Sequence, residues 1–234
     1  MTVLLVVAKS PVPGAVKTRL CPPATPAQAA RVAAAALRDT LDTVAATPGV
    51  TPVLALHGRF ADADADADAD AEDAAVLCAV TTGWVVLPQR GVSLGDRLAA
   101  AYADVAVAYP GQPVLQIGMD TPQLTPALLG AAARRLADAD ALLGRAADGG
   151  WWALGLREPR HAAVLRGVPM STPETGRRTA VALSGRGLRV QPLPVVRDVD
   201  EWADALAVAA TVPDSRFARQ VAAVRPVLLP GGSR

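Results

Sequence analysis

The chain has 234 residues with 51% hydrophobic content, 3% aromatic content and a formal net charge of +1. That length suits one substantial core, built mainly from Ala, Val and Leu for want of aromatics. Near-neutral charge supplies neither the global basic field expected of a nucleic-acid binder nor a polybasic patch for a membrane surface.

Thr2 to Ala8 is a continuous Val/Leu run, the pattern of a strand buried on both faces of a parallel sheet. It is too short for a membrane span or a signal segment, and no basic stretch precedes it. Thr25-Pro26-Ala27-Gln28 predicts a capped helix running to about Ala46, stopped by Pro48-Gly49. Strands are expected over Thr51–Leu56 and Trp84–Leu87. Ser93-Leu94-Gly95-Asp96 opens a helix to about Ala108. Val114–Gly118 reads as a strand, and Thr125-Pro126 caps the next helix. Shorter strands follow at Ala139–Leu143 and Trp151–Leu156. A helix is expected from Thr172-Pro173-Glu174 to Ser184, with Ser171 and Glu174 as its capping box. A strand over Arg189–Pro194 and a helix opening at Glu201-Trp202 complete the pattern. Alternating strands and helices argue a mostly parallel α/β layered sheet in one domain, residues 1–225. The Ala-Asp alternation of 61–71 carries five aspartates that nothing holds together, so it reads as a solvated helix or loop without a role. Residues 226–234, ending Pro-Gly-Gly-Ser-Arg, read as a disordered tail.

Ligands of open α/β sheets bind at the carboxyl ends of strands, so residues just beyond strand ends carry the functional reading. Lys9 and Lys17 are the only lysines against twenty-one arginines, and both lie in the loop after the first strand. An ammonium is a compact point charge with three donors, suited to phosphate oxygens. Lys9, Gly14, Lys17, Thr18 and Arg19 are therefore candidate phosphate ligands, with the main-chain N–H groups of an irregular loop beside them. The loop lacks G-x-x-x-x-G-K-[ST], which disfavours a P-loop NTPase. Asp120 follows the Val114–Gly118 strand and is either an Asx turn before Pro122 or a ligand for Mg²⁺ or Mn²⁺, which take carboxylates and substrate phosphates. Asp198 and Asp200 are spaced to face one cation if extended, while Asp200 could equally cap the helix that follows. Asp148-Gly149-Gly150-Trp151 is a hairpin turn whose glycines also allow close approach of a ligand, with Trp151 or Trp152 as a stacking wall. His57 and His161 stand apart from each other and from Cys21 and Cys78, so zinc is not expected, and a reduced, cytoplasmic setting fits the cysteines.

The opening A-K-x-P-x-P-G-x-V-K-T-R-L resembles a family of GT-A-fold transferases, whose members carry the names glycosyltransferase or radical-SAM- and selenodomain-associated transferase. Its K-T-R-L end is similar to 2-phospholactate guanylyltransferase. G-M-D-T-P-Q-L around Asp120 and D-V-D at Asp198–Asp200 resemble metal-binding segments of nucleotidyltransferases, including those of molybdenum-cofactor synthesis. In Gln89-Arg90-Gly91 and Leu94-Gly95-Asp96-Arg97 the chain resembles a Q-G-x-x-L-G-x-R stretch. The resemblance spans about residues 2 to 205 and implies a GT-A, nucleotide-diphospho-sugar transferase-like fold. It also implies an acceptor side at Asp148, Gly149, Gly150 and Trp151, substrate contacts at Gln89 and Arg97, and a metal held by Asp120 with Asp198 or Asp200.

The expected function is a Mg²⁺- or Mn²⁺-dependent transferase using a nucleoside triphosphate or nucleotide-sugar, with Asp120 and Lys17 at the reaction centre. Nucleotidyl transfer to a small phosphorylated or anionic acceptor is favoured by the cation count of the lysine loop. Glycosyl transfer is the alternative, and a non-catalytic nucleotide-binding protein is the second.

Overall fold

A computed structural model describes residues 1–60 and 72–224, so the Ala-Asp run of 61–71 and the tail from 226 lie outside the described residues. Seven strands make one sheet: β1 (Thr2–Lys9), β2 (Val50–His57), β3 (Val85–Pro88), β4 (Val114–Gly118), β5 (Ala141–Ala146), β6 (Trp151–Leu156) and β7 (Val190–Val196). Their order is β3-β2-β1-β4-β6-β5-β7. β1 runs parallel to β2 and β4, β2 to β3 and β5 to β7, while β6 is antiparallel to β4 and β5. The fold is therefore the expected mostly parallel α/β sheet, with one reversed strand supplied by the β5–β6 hairpin.

The helices are α1 (Pro26–Ala45), α2 (Ala74–Val80), α3 (Leu94–Ala108), α4 (Pro126–Arg135), α5 (Thr175–Ser184), α6 (Trp202–Thr211) and α7 (Arg216–Ala223), with a run of 3-10 turns over Pro159–Gly167. Local chemistry sets their starts. Thr25 and Gln28 form the reciprocal capping box ahead of α1, and Ser93 and Asp96 do the same for α3. Two other starts differ from the sequence reading. Ser171 adopts φ +56 and caps nothing; instead Thr175 Oγ1 accepts the Thr172 N–H at 3.1 Å and donates to Pro169 O at 2.9 Å. Glu174 turns outward and pairs with Arg177. Asp200 does not cap α6, because Glu201 holds that position in a capping box with Asp204.

Helices cover both faces of the sheet. On one, Leu37 and Leu41 of α1, Leu77 of α2 and Leu129 of α4 close over Leu4, Leu54, Leu115 and Ile117. On the other, Leu98, Tyr102 and Val105 of α3 and Leu165 of the 3-10 run close over Leu5, Val53 and Leu154. Ala at so many core positions lets elements approach closely. Gly95 shows this between α3 and the 3-10 run, since a Cβ there would lie 2.3 Å from Leu165 O. A third cluster joins Leu20, Val32 and Ala36 to Val199, Ala205 and Phe217. It draws the chain after β7 back across the sheet edge to the loop after β1, which brings residues 198–200 to the front of the fold. Among the described residues no helix is long and apolar enough to cross a membrane.

Candidate functional site

The loop leaving β1 is built to turn one lysine inward. Ser10 N donates to His57 O at 2.9 Å, Ala15 N to Val12 O at 3.1 Å, and Gly14 takes φ +74 at the turn. Val16 is buried and anchors the loop. Lys17 then sits at φ +50, a left-handed conformation that costs a non-glycine residue about 1–3 kcal/mol and persists only where its surroundings hold it. What holds it is its own ammonium, which donates to Val199 O and stands 2.7 Å from Asp120 Oδ1. The side chain is only 10% exposed. That ammonium approaches Asp120 outside hydrogen-bonding geometry, so Oδ1 is buried with an ionic contact and no hydrogen bond among the described residues.

Asp120 lies just past the end of β4, and its main chain is tied to the returning segment by Val199 N to Asp120 O at 2.9 Å. Val199 is buried and the flanking aspartates face the other way, as i, i+2 spacing in extended chain requires. Asp200 pairs with Arg19. Asp198 is pushed up to about 6, first by burial and then by the neighbouring charges of Asp148 and Asp120. Three carboxylates thus crowd one another, with Lys17 as the nearby counter-charge. No three His, Cys, Asp or Glu side chains among the described residues gather into a complete metal site by themselves.

The β5–β6 turn is an Asx turn, with Gly150 N donating to Asp148 Oδ1 at 2.7 Å. Gly149 has φ +93, and a Cβ there would meet Pro173 O at 2.0 Å. Gly176 N also bonds Gly149 O at 2.9 Å, which latches the segment before α5 onto the turn and aims Met170, Ser171 and Thr172 over the site. The two tryptophans separate. Trp152 is buried and donates to Pro194 O at 2.9 Å, while Trp151 is half-buried at the site with Nε1 unpaired among the described residues.

From the far side, Gln89 Nε2 clamps the ends of β1 and β2, donating to Ala8 O at 2.8 Å and Ala55 O at 2.9 Å. Arg97 lies one turn into α3. His57, at the end of β2, is held below its usual value by burial and by the Arg97 and Lys9 charges. Lys9 is exposed, and its main-chain N–H donates to Met119 Sδ at 3.3 Å.

These groups line one cleft of about 710 Å³ at the carboxyl ends of the parallel strands. Of the residues singled out in the sequence, Lys9, Arg19, Gln89, Arg97, Asp120, Asp148, Gly150, Trp151, Asp198 and Asp200 border it. Lys17 and Thr18 border an adjoining hollow of about 260 Å³, shared with Lys9, Arg19, Asp120 and Asp200. Gly14 and Gly149 border neither; one shapes a turn and the other a backbone contact. His57, Gln116, Thr121 and Ser171 also line the cleft and were given no binding role in the sequence reading. The signal for Gln116 was there to read, as the one polar side chain in Val-Leu-Gln-Ile.

Residues 40–172 match the model of a family described as "Uncharacterized protein conserved in bacteria (DUF2064)", and the chain belongs to that family. No curated protein matches it in sequence. Its fold is similar to that of a presumed nucleotide-diphospho-sugar transferase from Desulfovibrio desulfuricans G20, at 25% identity and a TM-score of 0.78, covering 95% of this chain and 94% of that one. It is also similar to Rv0371c of Mycobacterium tuberculosis H37Rv in complex with manganese, at 20% identity and a TM-score of 0.52, with 89% and 98% covered. A third similarity is to CMP:2-keto-3-deoxy-manno-octonic acid synthetase complexed with CTP, at 12% identity and a TM-score of 0.54, with 91% and 98% covered. The last two are likenesses of fold.

Proposed function

We propose that the protein is a metal-dependent transferase that uses a nucleotide donor, and that it transfers a nucleotidyl group from a nucleoside triphosphate to a small acceptor. The observation that carries this reading is the meeting of two charge sets in one cleft. Lys9 ends β1, Lys17 and Arg19 come from the segment after it at the cleft and its adjoining hollow, and Asp120, Asp148, Asp198 and Asp200 stand opposite. The names of the structural neighbours, a nucleotide-diphospho-sugar transferase and a synthetase with CTP bound, support the class.

Lys9, Thr18 and Arg19 would hold the phosphates, with the Lys17 ammonium at the junction between phosphate and Asp120. The carboxylate set fits a hard cation: Asp120 Oδ1 is buried with an ionic contact alone among the described residues, and Asp198 is raised first by burial and then by its acidic neighbours. Asp120 with Asp198 or Asp200 would hold Mg²⁺ or Mn²⁺, completed by substrate oxygens, and the ion would supply charge neutralisation at the phosphates. An acceptor oxygen attacks the α-phosphorus, the new O–P bond forms, and the bond to pyrophosphate breaks. The acceptor's hydroxyl proton passes to a carboxylate on its side of the cleft. Such transfer needs positioning and electrostatics more than a protein nucleophile.

A triphosphate brings about four negative charges, a closer match to three cations and a divalent ion than the two of a diphosphate-sugar. Glycosyl transfer is the second reading, favoured by the D-x-D spacing of Asp198 and Asp200 and by the Desulfovibrio neighbour's name. The two separate on the leaving group. With Mg²⁺, labelled nucleoside triphosphates and a pool of small hydroxylated and phosphorylated acceptors, pyrophosphate is expected. Nucleoside diphosphate released from a nucleotide-sugar instead, with no pyrophosphate from any triphosphate, would establish the second reading. Nucleotide binding with neither product and no response to EDTA would leave a non-catalytic binding protein.

A further inference from the structure

The floor of the cleft carries polar groups that the phosphate and carboxylate chemistry leaves unused. Gln116 sits in the middle of β4, beside Leu5 of β1 and Leu154 of β6, and is 3% exposed. Its Oε1 is buried and has no hydrogen-bond partner among the described residues. The same holds for Thr121 Oγ1, in a residue 2% exposed, and for Trp151 Nε1. All three residues line the β4–β6 side of the cleft; across it, Arg97 of α3 also lines the cleft with its Nε buried and unpaired among the described residues. The neighbouring Tyr102 behaves differently: fully buried, it donates its hydroxyl to Leu154 O at 2.6 Å. Tyr102 thus shows how the fold pairs a buried polar group in the same layer. Buried polar groups left unpaired are costly and uncommon, and three on one floor form a set awaiting a ligand.

We propose that Gln116, Thr121 and Trp151 recognise the acceptor, and that the acceptor is a neutral, polyhydroxylated molecule. This rests on the transferase reading above and narrows it. An amide can present either end after a half-turn, so its best partner is a group that both donates and accepts, which a hydroxyl does. The indole N–H calls for an oxygen, and Asp148, with Oδ1 engaged by Gly150, keeps its second oxygen to receive a hydroxyl hydrogen. Leu98 and Met170 offer apolar surface to the C–H faces of a polyol. Charge points the same way. The cleft-lining residues of β4, β6 and their flanking turns include Asp120 and Asp148 and no cation, so this half repels the phosphorylated or anionic acceptor expected from the sequence. Lys9, Arg19, His57 and Arg97 all come from the other half or from the loop after β1.

The test uses the full chain with glucose, myo-inositol and mannitol against glycerate, 3-phosphoglycerate and 2-phospholactate. Each is added alone and with Mg²⁺ plus α,β-methylene nucleoside triphosphates, and binding is read by saturation-transfer NMR and thermal shift. At least one neutral polyol is expected to bind more tightly than every anionic compound. Gln116→Leu and Trp151→Phe should each weaken that polyol about tenfold or more. Gln116→Leu should melt no lower than wild type without ligand, and should keep the wild-type response to nucleotide. The proposal is overturned if no polyol binds, if an acid binds best, or if Gln116→Leu binds polyol normally. A lower melting temperature of ligand-free Gln116→Leu would also overturn it, by making the amide a fold element. A wild-type protein that ignores every nucleotide would sink the transferase reading instead, and the polyol comparison made without nucleotide would still decide this one.

Discussion

The two halves of the cleft are made from the same kind of strand ends and carry opposite chemistry. On the β1–β2–β3 side, parallel strands end in Lys9, His57 and Gln89, and the loop after β1 adds Lys17 and Arg19. On the β4–β6–β5 side, Asp120 follows a parallel strand, while Asp148 and Trp151 belong to a hairpin that reverses the chain. The reversal matters. An antiparallel β6 puts the β5–β6 turn at the same end of the sheet as the loop after β4, so an acidic turn and an acidic loop become neighbours. The segment after β7 then crosses between the halves and sets Asp198 and Asp200 at the seam, where Arg19 and Lys17 meet them. A cationic side fits a polyanionic donor, and an acidic side with an unpaired polar floor fits something else. On the proposed reading, the difference gives one half to each substrate.

Lys17→Ala should break that division most severely. Lys17 is the seam itself, bonded to Val199 O and paired with Asp120. A lost charge-assisted phosphate contact is worth about 1.5–3 kcal/mol, so nucleotide affinity should fall about tenfold to about a hundredfold. The ligand-free protein should melt lower as well, because the buried Asp120 Oδ1 loses its counter-charge. Lys17→Arg should restore only part of both losses, since a planar fork cannot replace a point charge at two diverging oxygens. Calorimetry with nucleotide and a melting curve check the two effects separately; unaltered affinity in the alanine variant would remove Lys17 from the donor half.

Asp120→Asn tests the other side of the seam with a smaller effect on the fold. The stabilisation that nucleotide gives in the presence of Mg²⁺ should disappear. The ligand-free melting point should barely move, because losing the ion pair with Lys17 is offset by relief of repulsion with Asp198. Thermal shift with and without EDTA reads both quantities. A large loss of ligand-free stability with the metal response intact would make Asp120 a structural turn residue.

Much of the cationic half was legible in the sequence, because its signals are local. Two lysines in one loop, a strand end before them and capping boxes at Thr25 and Ser93 all declare themselves within a few residues. The acidic half was less so, because it depends on strand order and on which way side chains face. Trp151 and Trp152 are equivalent in sequence, yet consecutive strand residues face opposite sides; both border the cleft, and only Trp151 keeps its indole N–H unpaired among the described residues. The Trp152 N–H is spent on Pro194 O. Ser171 and Glu174 carry a capping-box spacing, but the latch between Gly149 and Gly176 fixes the segment in another conformation. Gln116 stood out as the one polar side chain of its strand, but its place in the cleft showed only when the strand proved central and its amide oxygen unpaired among the described residues. The short helix α2 has no side-chain cap to mark its start, whereas the terminal α7 carried a legible signal in the Ser215 cap and an apolar face of Phe217, Ala218 and Val221 that the sequence reading left unused.

The smallest expected effect is a pH dependence that reports how acidic the seam is. Asp198 is raised from 3.8 to about 6, chiefly by burial and then by Asp148 and Asp120. A carboxyl whose folded value lies above its unfolded value holds its proton more tightly when folded. Between about pH 4 and 6 the folded protein therefore binds more protons than the unfolded chain, and stability falls as pH rises through that window. Above the folded value the loss is complete and this contribution becomes flat. Part of the group is exposed, so solvent screening reduces the effect below what the shift alone implies. The measurement is the melting temperature of ligand-free wild type minus that of Asp198→Asn, taken from pH 4 to 8. The difference should decline through the window and level off above about pH 6. Adding Mg²⁺ with a non-hydrolysable nucleotide at pH 7.5 should recover the lost stability in wild type and less of it in Asp198→Asn, because a bound cation offsets the same repulsion that raises the carboxyl. A difference that rises with pH would mean that Lys17, and not the crowd of carboxylates, governs Asp198.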